Sequence, residues 1–240
     1  MDSILVRADT RGHLNFGWLD TYHTFSFGDY INPKMKRFGA LRVLNDDFIE
    51  PNGLFMPHAH NDMEIITVVL NGAVEHTDSL GNKSRINAGE IQVMCAGSGI
   101  SHSEANPLND TQLNLFQIWI YPSKKGLPPS YAQQNFSDKL IQNNLWHCLV
   151  SNRHNSDELY INQEAFINLG NFTDTAVEYQ YNLNQVNSGL FLMVIEGEIE
   201  INQQKLGYRD AIMLEEIDNK IEFKIIQPAK LIAIEVTMRI

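Results

Sequence analysis

Short apolar stretches recur along the chain, each closed by Gly, Asn, Asp or Pro. Residues 40–44, 64–70, 91–94 and 113–121 are of this kind in the first half. Residues 191–195, 198–201, 211–214, 221–226 and 231–237 follow in the second. They are rich in Val, Ile, Thr, Phe and Tyr, which favour extended backbone. Apolar positions at helical spacing are scarce, so the pattern predicts an all-β sandwich or barrel. Asp78-Ser-Leu-Gly-Asn82 reads as a hairpin turn, and residues 131–140 as one short helix. A weak internal repeat runs through the pattern. Val68-Val-Leu-Asn-Gly-Ala-Val-Glu75 is followed by Gly89-Glu-Ile-Gln-Val-Met94. Met193-Val-Ile-Glu-Gly-Glu-Ile-Glu200 is followed by Asp210-Ala-Ile-Met-Leu214. The most Pro-rich stretch, residues 121–130, lies between the copies and reads as a linker. Two domains are expected, 1–125 and 126–240, each long enough to bury a core.

Charge narrows the range of partners. There are 29 acidic against 18 basic residues, a formal net charge of −11. Such a chain is repelled by phosphate unless it carries a basic patch. The densest basic stretch is only Lys34, Lys36 and Arg37, so neither nucleic acid nor anionic membrane is an expected partner. The apolar run at 65–70 is far too short to cross a bilayer. No apolar leader opens the chain, and two cysteines, Cys95 and Cys148, make a thin disulfide framework. A reduced, cytoplasmic protein is expected.

Four residues carry the candidate chemistry. His58-Ala-His60 is one pair, and His102-Ser-Glu104 is another, 42 residues after His60. On a strand, residues i and i+2 share a face. Two strands therefore offer four ligand side chains to one volume inside a barrel. Imidazole suits Fe, Zn, Cu and Ni, and one carboxylate shifts the preference towards Fe or Mn. Pro57 restricts the backbone before the first pair, and Gly97 and Gly99 loosen it before the second. Competing motifs are incomplete. No Pro-Cys-x-x-Cys follows the HxE, and there is no third glycine for a dinucleotide loop, no GxSxG and no HExxH.

These stretches resemble a known family. Residues 58–70 resemble the first cupin motif and residues 89–106 the second. Together with Thr24-Phe-Ser-Phe27, the 38–47 segment and Glu75-His-Thr-Asp-Ser-Leu-Gly-Asn82, they are similar to the pirin family of bicupins. The likeness is strong over residues 10–122 and looser beyond. It implies two cupin barrels with one divalent metal ion in the first, usually iron, with Mn, Ni, Cu and Zn as alternatives. The ligands it implies fall on His58, His60, His102 and Glu104. It also implies two classes of function: a quercetin 2,3-dioxygenase acting on a flavonol and O₂, or a metal-dependent regulator that binds another protein. It favours a monomer. In the dioxygenase reading Glu104 is also the candidate base for the flavonol hydroxyl. Cys95 stands where many cupins have proline, and Asn61 where many pirins have arginine.

The other candidates have blander readings. Glu64 shares the strand parity of His58 and His60 and is expected as outer support, with ligation the alternative. Asn106 is expected to be structural. His76 is expected on the outer or rim face. His13 and His23 precede the barrel and are expected in solvated or structural roles, as are His147 and His154. Cys95 reads as a small buried residue. Counting through the repeat places Leu183, Gln185, Glu222 and Lys224 at the ligand positions of the second half, so one ion per chain is expected.

Overall fold

The structure, a computed structural model, describes residues 2–154 and 157–239. Among these residues the chain forms three β-sheets, of four, seven and nine strands. The four-stranded sheet runs in the order Leu54–His60, Ile100–Ala105, Ala73–Asp78, Lys83–Asn87. The seven-stranded sheet runs Ser130–Asn135, Glu90–Cys95, Glu64–Asn71, Leu113–Ile120, Leu41–Ile49, Leu19–His23, Gly12–Asn15. These two sheets face each other and form the barrel of the first half.

Both faces of the seven-stranded sheet are buried. Its outer positions, among them Leu44, Ile66, Val68, Val93, Phe116 and Ile118, pack against Phe191, Met193, Ile232 and Ile234 of the second half. Its inner positions Leu19, Ile49, Val69 and Leu115 pack on Val74 and Ile86 of the four-stranded sheet. Side chains alternate across a strand, so a strand with two apolar faces reads as a continuous apolar run. That is why 64–70 and 113–121 stand out in the sequence.

The second half is built on two long strands, Ser188–Ile201 and Lys220–Thr237. Four separate strands were expected there. The breaks between them are bends within continuous strands. Register slips occur between Val194 and Ile199, beside Gly197, whose φ is +87°. A Cβ on Gly197 would lie 2.1 Å from the Pro228 carbonyl oxygen, so the two strands cross here only because the residue is glycine. The interior of this half is filled by Phe172, Tyr181, Leu192, Ile212 and Phe223. Leu183 packs against that core, and Gln185 donates to Glu164 at 2.6 Å. Glu222 and Lys224 are exposed, beside Lys220 and Glu178.

Each half lends the other a strand. Asp2–Val6 pairs with Ala211–Glu215 in the nine-stranded sheet. Ser130–Asn135 pairs with Glu90–Cys95 in the seven-stranded one. The expected helix over 131–140 is therefore confined to Ser137–Leu140. The free edge of Glu90–Cys95 hydrogen-bonds the residues before it as a strand, and tertiary pairing overrides local propensity.

A buried ion cluster joins the halves. Asp46 Oδ2 lies 3.1 Å from Arg209 Nε and 3.5 Å from Arg11 Nη1, and all three side chains are at most 4% exposed. Asn114 donates to Asp46 Oδ1 at 3.0 Å and accepts from Arg209 Nη2 at 2.9 Å. Arg209 also lies over the ring of Phe116 at 4.9 Å. Removing one partner of such a cluster leaves buried charge uncompensated. Asp46→Ala is expected to lower stability by about 3–5 kcal/mol, read as a shift of the urea unfolding midpoint.

Candidate metal centre

The Leu54–His60 and Ile100–Ala105 strands pair antiparallel, with His58 opposite His102 and His60 opposite Ile100. The register then slips, so that Glu104 faces Phe55. The extra residue falls at Met56-Pro57. Proline has no N–H to give a ladder, and a bulge is where a strand tolerates it. His58 Nδ1 donates to the Met56 carbonyl at 2.8 Å. A carbonyl only accepts, so Nδ1 carries a hydrogen and Nε2 is the nitrogen turned free of that bond.

The three histidines converge. His60 Nε2 lies 3.0 Å from His102 Nε2, and His58, His60 and His102 each offer a nitrogen within 4.8 Å of the others. His58 is exposed at the mouth, while His102 is buried. Burial lowers the pKa of His60 to about 4 and that of His102 to about 3, with the neighbouring His58 adding to both shifts. Both rings are thus neutral near pH 7 and keep lone pairs for a cation. Neutral imidazoles in a convergent group are a donor set that divalent transition ions accept. The residues present therefore fit a metal ion.

Glu104 takes a different place. It is 4% exposed, and its carboxylate shares a second convergent group with His102 and His76 rather than with His58 and His60. Gln92 and Thr67 donate to Oε1 at 3.2 and 3.4 Å, and Gln117 donates to Oε2 at 3.0 Å. All three donors come from the seven-stranded sheet, so Glu104 ties the two sheets together. Burial pushes its pKa up, against the pull of His76 and these hydrogen bonds.

His76 does not lie on the outer or rim face. It is fully buried, with Nδ1 3.4 Å from His102 Nδ1 and Nε2 3.0 Å from Asp78 Oδ2. The Ala73–Asp78 strand pairs in register with the ligand strand, His76 opposite Glu104 and Asp78 opposite His102. Asp78 in turn accepts from the backbone N–H groups of Leu80 and Asn82 in the hairpin turn. Tyr131, on the strand that follows the linker, stacks on His76 at 4.8 Å. His102 is thus held from behind by a chain of polar groups. The spacing of His76 and Asp78, two apart on one strand, shows only that they share a face; that this face meets His102 follows from the pairing.

In front of the imidazoles lies a cavity of about 440 Å³. Trp18, Phe16, Phe27, Phe55 and Trp119 supply apolar wall, and His60 meets Trp119 edge-on at 4.9 Å. Thr21, Asn45 and Asp47 line it from the seven-stranded sheet.

Comparison with known proteins decides the family. Residues 6–120 match the family Pirin, and residues 148–236 match the quercetinase C-terminal cupin domain. A quercetin 2,3-dioxygenase of Escherichia coli strain K12 is 40% identical over 212 residues, 88% of this chain and 88% of that protein. The chain belongs to the pirin family. A pirin-like protein of Caulobacter vibrioides is 42% identical over 203 residues, 84% of this chain and 86% of that one. The crystal structure of the bacterial pirin YhhW from Escherichia coli in complex with nickel(II) superposes with a TM-score of 0.91 at 35% identity. It covers 98% of this chain and 99% of that one. The two barrels described above are accordingly the two cupins of a bicupin.

The remaining histidines and acids of this pirin fall outside the convergent group. The strand carrying His58 and His60 ends at His60, and Asp62 takes a φ of +47°. Strand parity is therefore not carried to Glu64. It is fully buried on the side of the second half, where Asn162 donates to it at 3.2 Å and burial raises its pKa. Asn106 holds a turn, donating to the Ile49 and Thr111 carbonyls at 3.0 and 2.8 Å. His13 is exposed, 2.6 Å from Asp20. His23 does not precede the barrel but lies within its sheet, buried and lining the cavity. His147 lies 3.4 Å from the Gln142 carbonyl, and His154 stacks on Tyr160. Both cysteines are free, and burial pushes the Cys95 thiol up to about 12. In the metal-free protein Gln117→Leu removes the hydrogen bond to Glu104 Oε2. A loss of about 1–3 kcal/mol is expected for a buried acceptor left unpaired, measured by urea unfolding.

Proposed function

We propose that this pirin is a mononuclear metal dioxygenase that opens the central ring of a flavonol such as quercetin with O₂. The observation that carries the reading is the convergence of three imidazoles, two of them held neutral by burial, on an open cavity with aromatic walls. Its size lies within the range of small-molecule sites. An open cavity favours turnover over a purely regulatory role, which needs no room for a substrate. The quercetin 2,3-dioxygenase relatives point the same way.

His58, His60 and His102 would hold one divalent ion, with Glu104, which lies beside His102, the fourth candidate ligand and Fe(II) the favoured metal. When bound, such an ion acidifies a coordinated hydroxyl and supports reaction with O₂. The chain's own groups do the rest. His58 is oriented by the Met56 carbonyl and His102 is backed by His76, so neither ring has to search for its position. Glu104, kept from water and with its pKa raised, is the group that would accept the proton of the flavonol 3-hydroxyl. A base used in this way contributes about 10²–10⁴-fold to rate. The aromatic walls would hold a flat substrate and exclude water.

Two outcomes test the reading. Protein loaded anaerobically with Fe(II) is expected to hold one metal per chain and to take up O₂ with quercetin, and His58→Ala to lose both. Loaded protein that takes up no O₂ would remove the dioxygenase reading. Glu104→Gln is expected to lower turnover by about 10²–10⁴-fold while the three histidines keep the metal. Full turnover in that variant would take the base role from Glu104.

A further inference from the structure

We propose that the Thr21–Asp47 wall of the cavity is a second binding pole, which takes a phenolic hydroxyl of the ligand other than the one presented to the imidazoles. The site then selects polyhydroxylated flat aromatics. This rests on the flavonol reading above and adds to it a residue that chooses among flavonols.

The cavity lies between two sheets, and its polar groups divide between them. The imidazoles and Glu104 belong to the four-stranded sheet. Thr21, His23, Asn45 and Asp47 belong to the seven-stranded one, on the Leu19–His23 and Leu41–Ile49 strands. These strands pair with Thr21 opposite Asp47 and His23 opposite Asn45. Residues directly opposite in an antiparallel pair project to the same side. The four side chains therefore form one patch on the inner wall, with apolar surface from Leu19, Phe27 and Leu115 about it.

The patch holds buried acceptors that have no partner. Asp47 Oδ1 accepts from Thr21 Oγ1 at 2.5 Å, which uses the only hydroxyl among the four side chains. Asn45 Oδ1 and His23 Nδ1 are buried with no partner. Asp47 is 5% exposed. Burial pushes its pKa up to about 7, against the lowering effect of Thr21. A buried carboxyl with one oxygen already bonded has capacity left to accept at the other. A wall of this kind is costly to leave unpaired. Ring hydroxyls at the edge of a flat apolar body would supply partners to these acceptors. An aromatic ligand without such hydroxyls would cover the patch and leave its acceptors unpaired, and a site of that kind rejects the analogue that lacks the donor.

The test is binding without turnover. Protein loaded with Ni(II) is titrated under nitrogen with quercetin and with 3-hydroxyflavone, which keeps the 3-hydroxyl and 4-keto group and lacks the other hydroxyls. Quenching of tryptophan fluorescence reads the affinity. The wild type is expected to prefer quercetin by about 10- to 100-fold, the scale of one hydrogen bond to a charged or buried acceptor. Asp47→Asn turns an N–H₂ group towards the cavity and is expected to abolish most of that preference, leaving the affinity for 3-hydroxyflavone and the metal content unchanged. If that variant does not fold, Thr21→Val, which frees the oxygen held at present and so adds an acceptor, gives a second comparison and is expected to widen the preference. Equal affinities in the wild type, or a preference untouched in the variants, would overturn the second pole and leave the flavonol reading standing. Failure of both compounds to bind the wild type would overturn the flavonol reading, and the second pole with it.

Discussion

A single sheet with no solvent-exposed face governs this structure. Each central strand of the seven-stranded sheet must satisfy the contact between halves on one side and the barrel interior on the other. The outer positions meet an apolar sheet and are largely apolar, as Ile66, Val68, Phe116 and Ile118 show, with Asp46, Glu64 and Asn114 as buried polar exceptions that bond to the second half or its ion cluster. The inner positions are free to be polar only where something hydrogen-bonds them. Thr67, Gln92 and Gln117, on three adjacent strands, meet that condition together by converging on Glu104. The carboxylate in turn fixes the strand that carries His102. The position of the imidazoles is thus set from across the barrel, by amides on the opposing sheet.

The parts of this that were legible in the sequence are those carried by spacing within one strand. His58 and His60, like His102 and Glu104, announce their shared face by being two apart. The β-rich pattern and the repeat announced two barrels. Features that depend on pairing between strands were not legible. His76 reaches His102 through the register of the Ala73–Asp78 strand, which no local pattern states. Glu64 loses the parity of His60 because of a left-handed residue at Asp62, where glycine or asparagine is the usual cue. Tyr131 reads as helix in the sequence because nothing near it records the open edge it joins. Polar letters at 45, 47, 67, 92 and 117 interrupt apolar runs, and no local pattern says why. They are the inner face of the sheet.

The two barrels show how one architecture takes two states. In the second, Phe172, Tyr181 and Phe223 help to fill the interior, whereas the first keeps a cavity in front of its histidines. Filling the interior with aromatic rings gives the second half the close packing of an ordinary core. The first half gives up such packing to keep room in front of its histidines. The packed half, joined to it through a continuous apolar contact and the Arg11–Asp46–Arg209 cluster, supplies the rigidity that an open barrel lacks.

The exchange of strands has a consequence for synthesis. Asp2–Val6 is made long before its pairing partner, Ala211–Glu215. The first barrel waits in turn for Ser130–Asn135 to cover the edge of Glu90–Cys95. Neither half can close its sheets from its own contiguous stretch of chain. Contacts this distant in sequence slow folding and leave bare strand edges exposed while it proceeds. Asp2–Val6 stays unpaired until Ala211–Glu215 has been made, so the two barrels complete their sheets together.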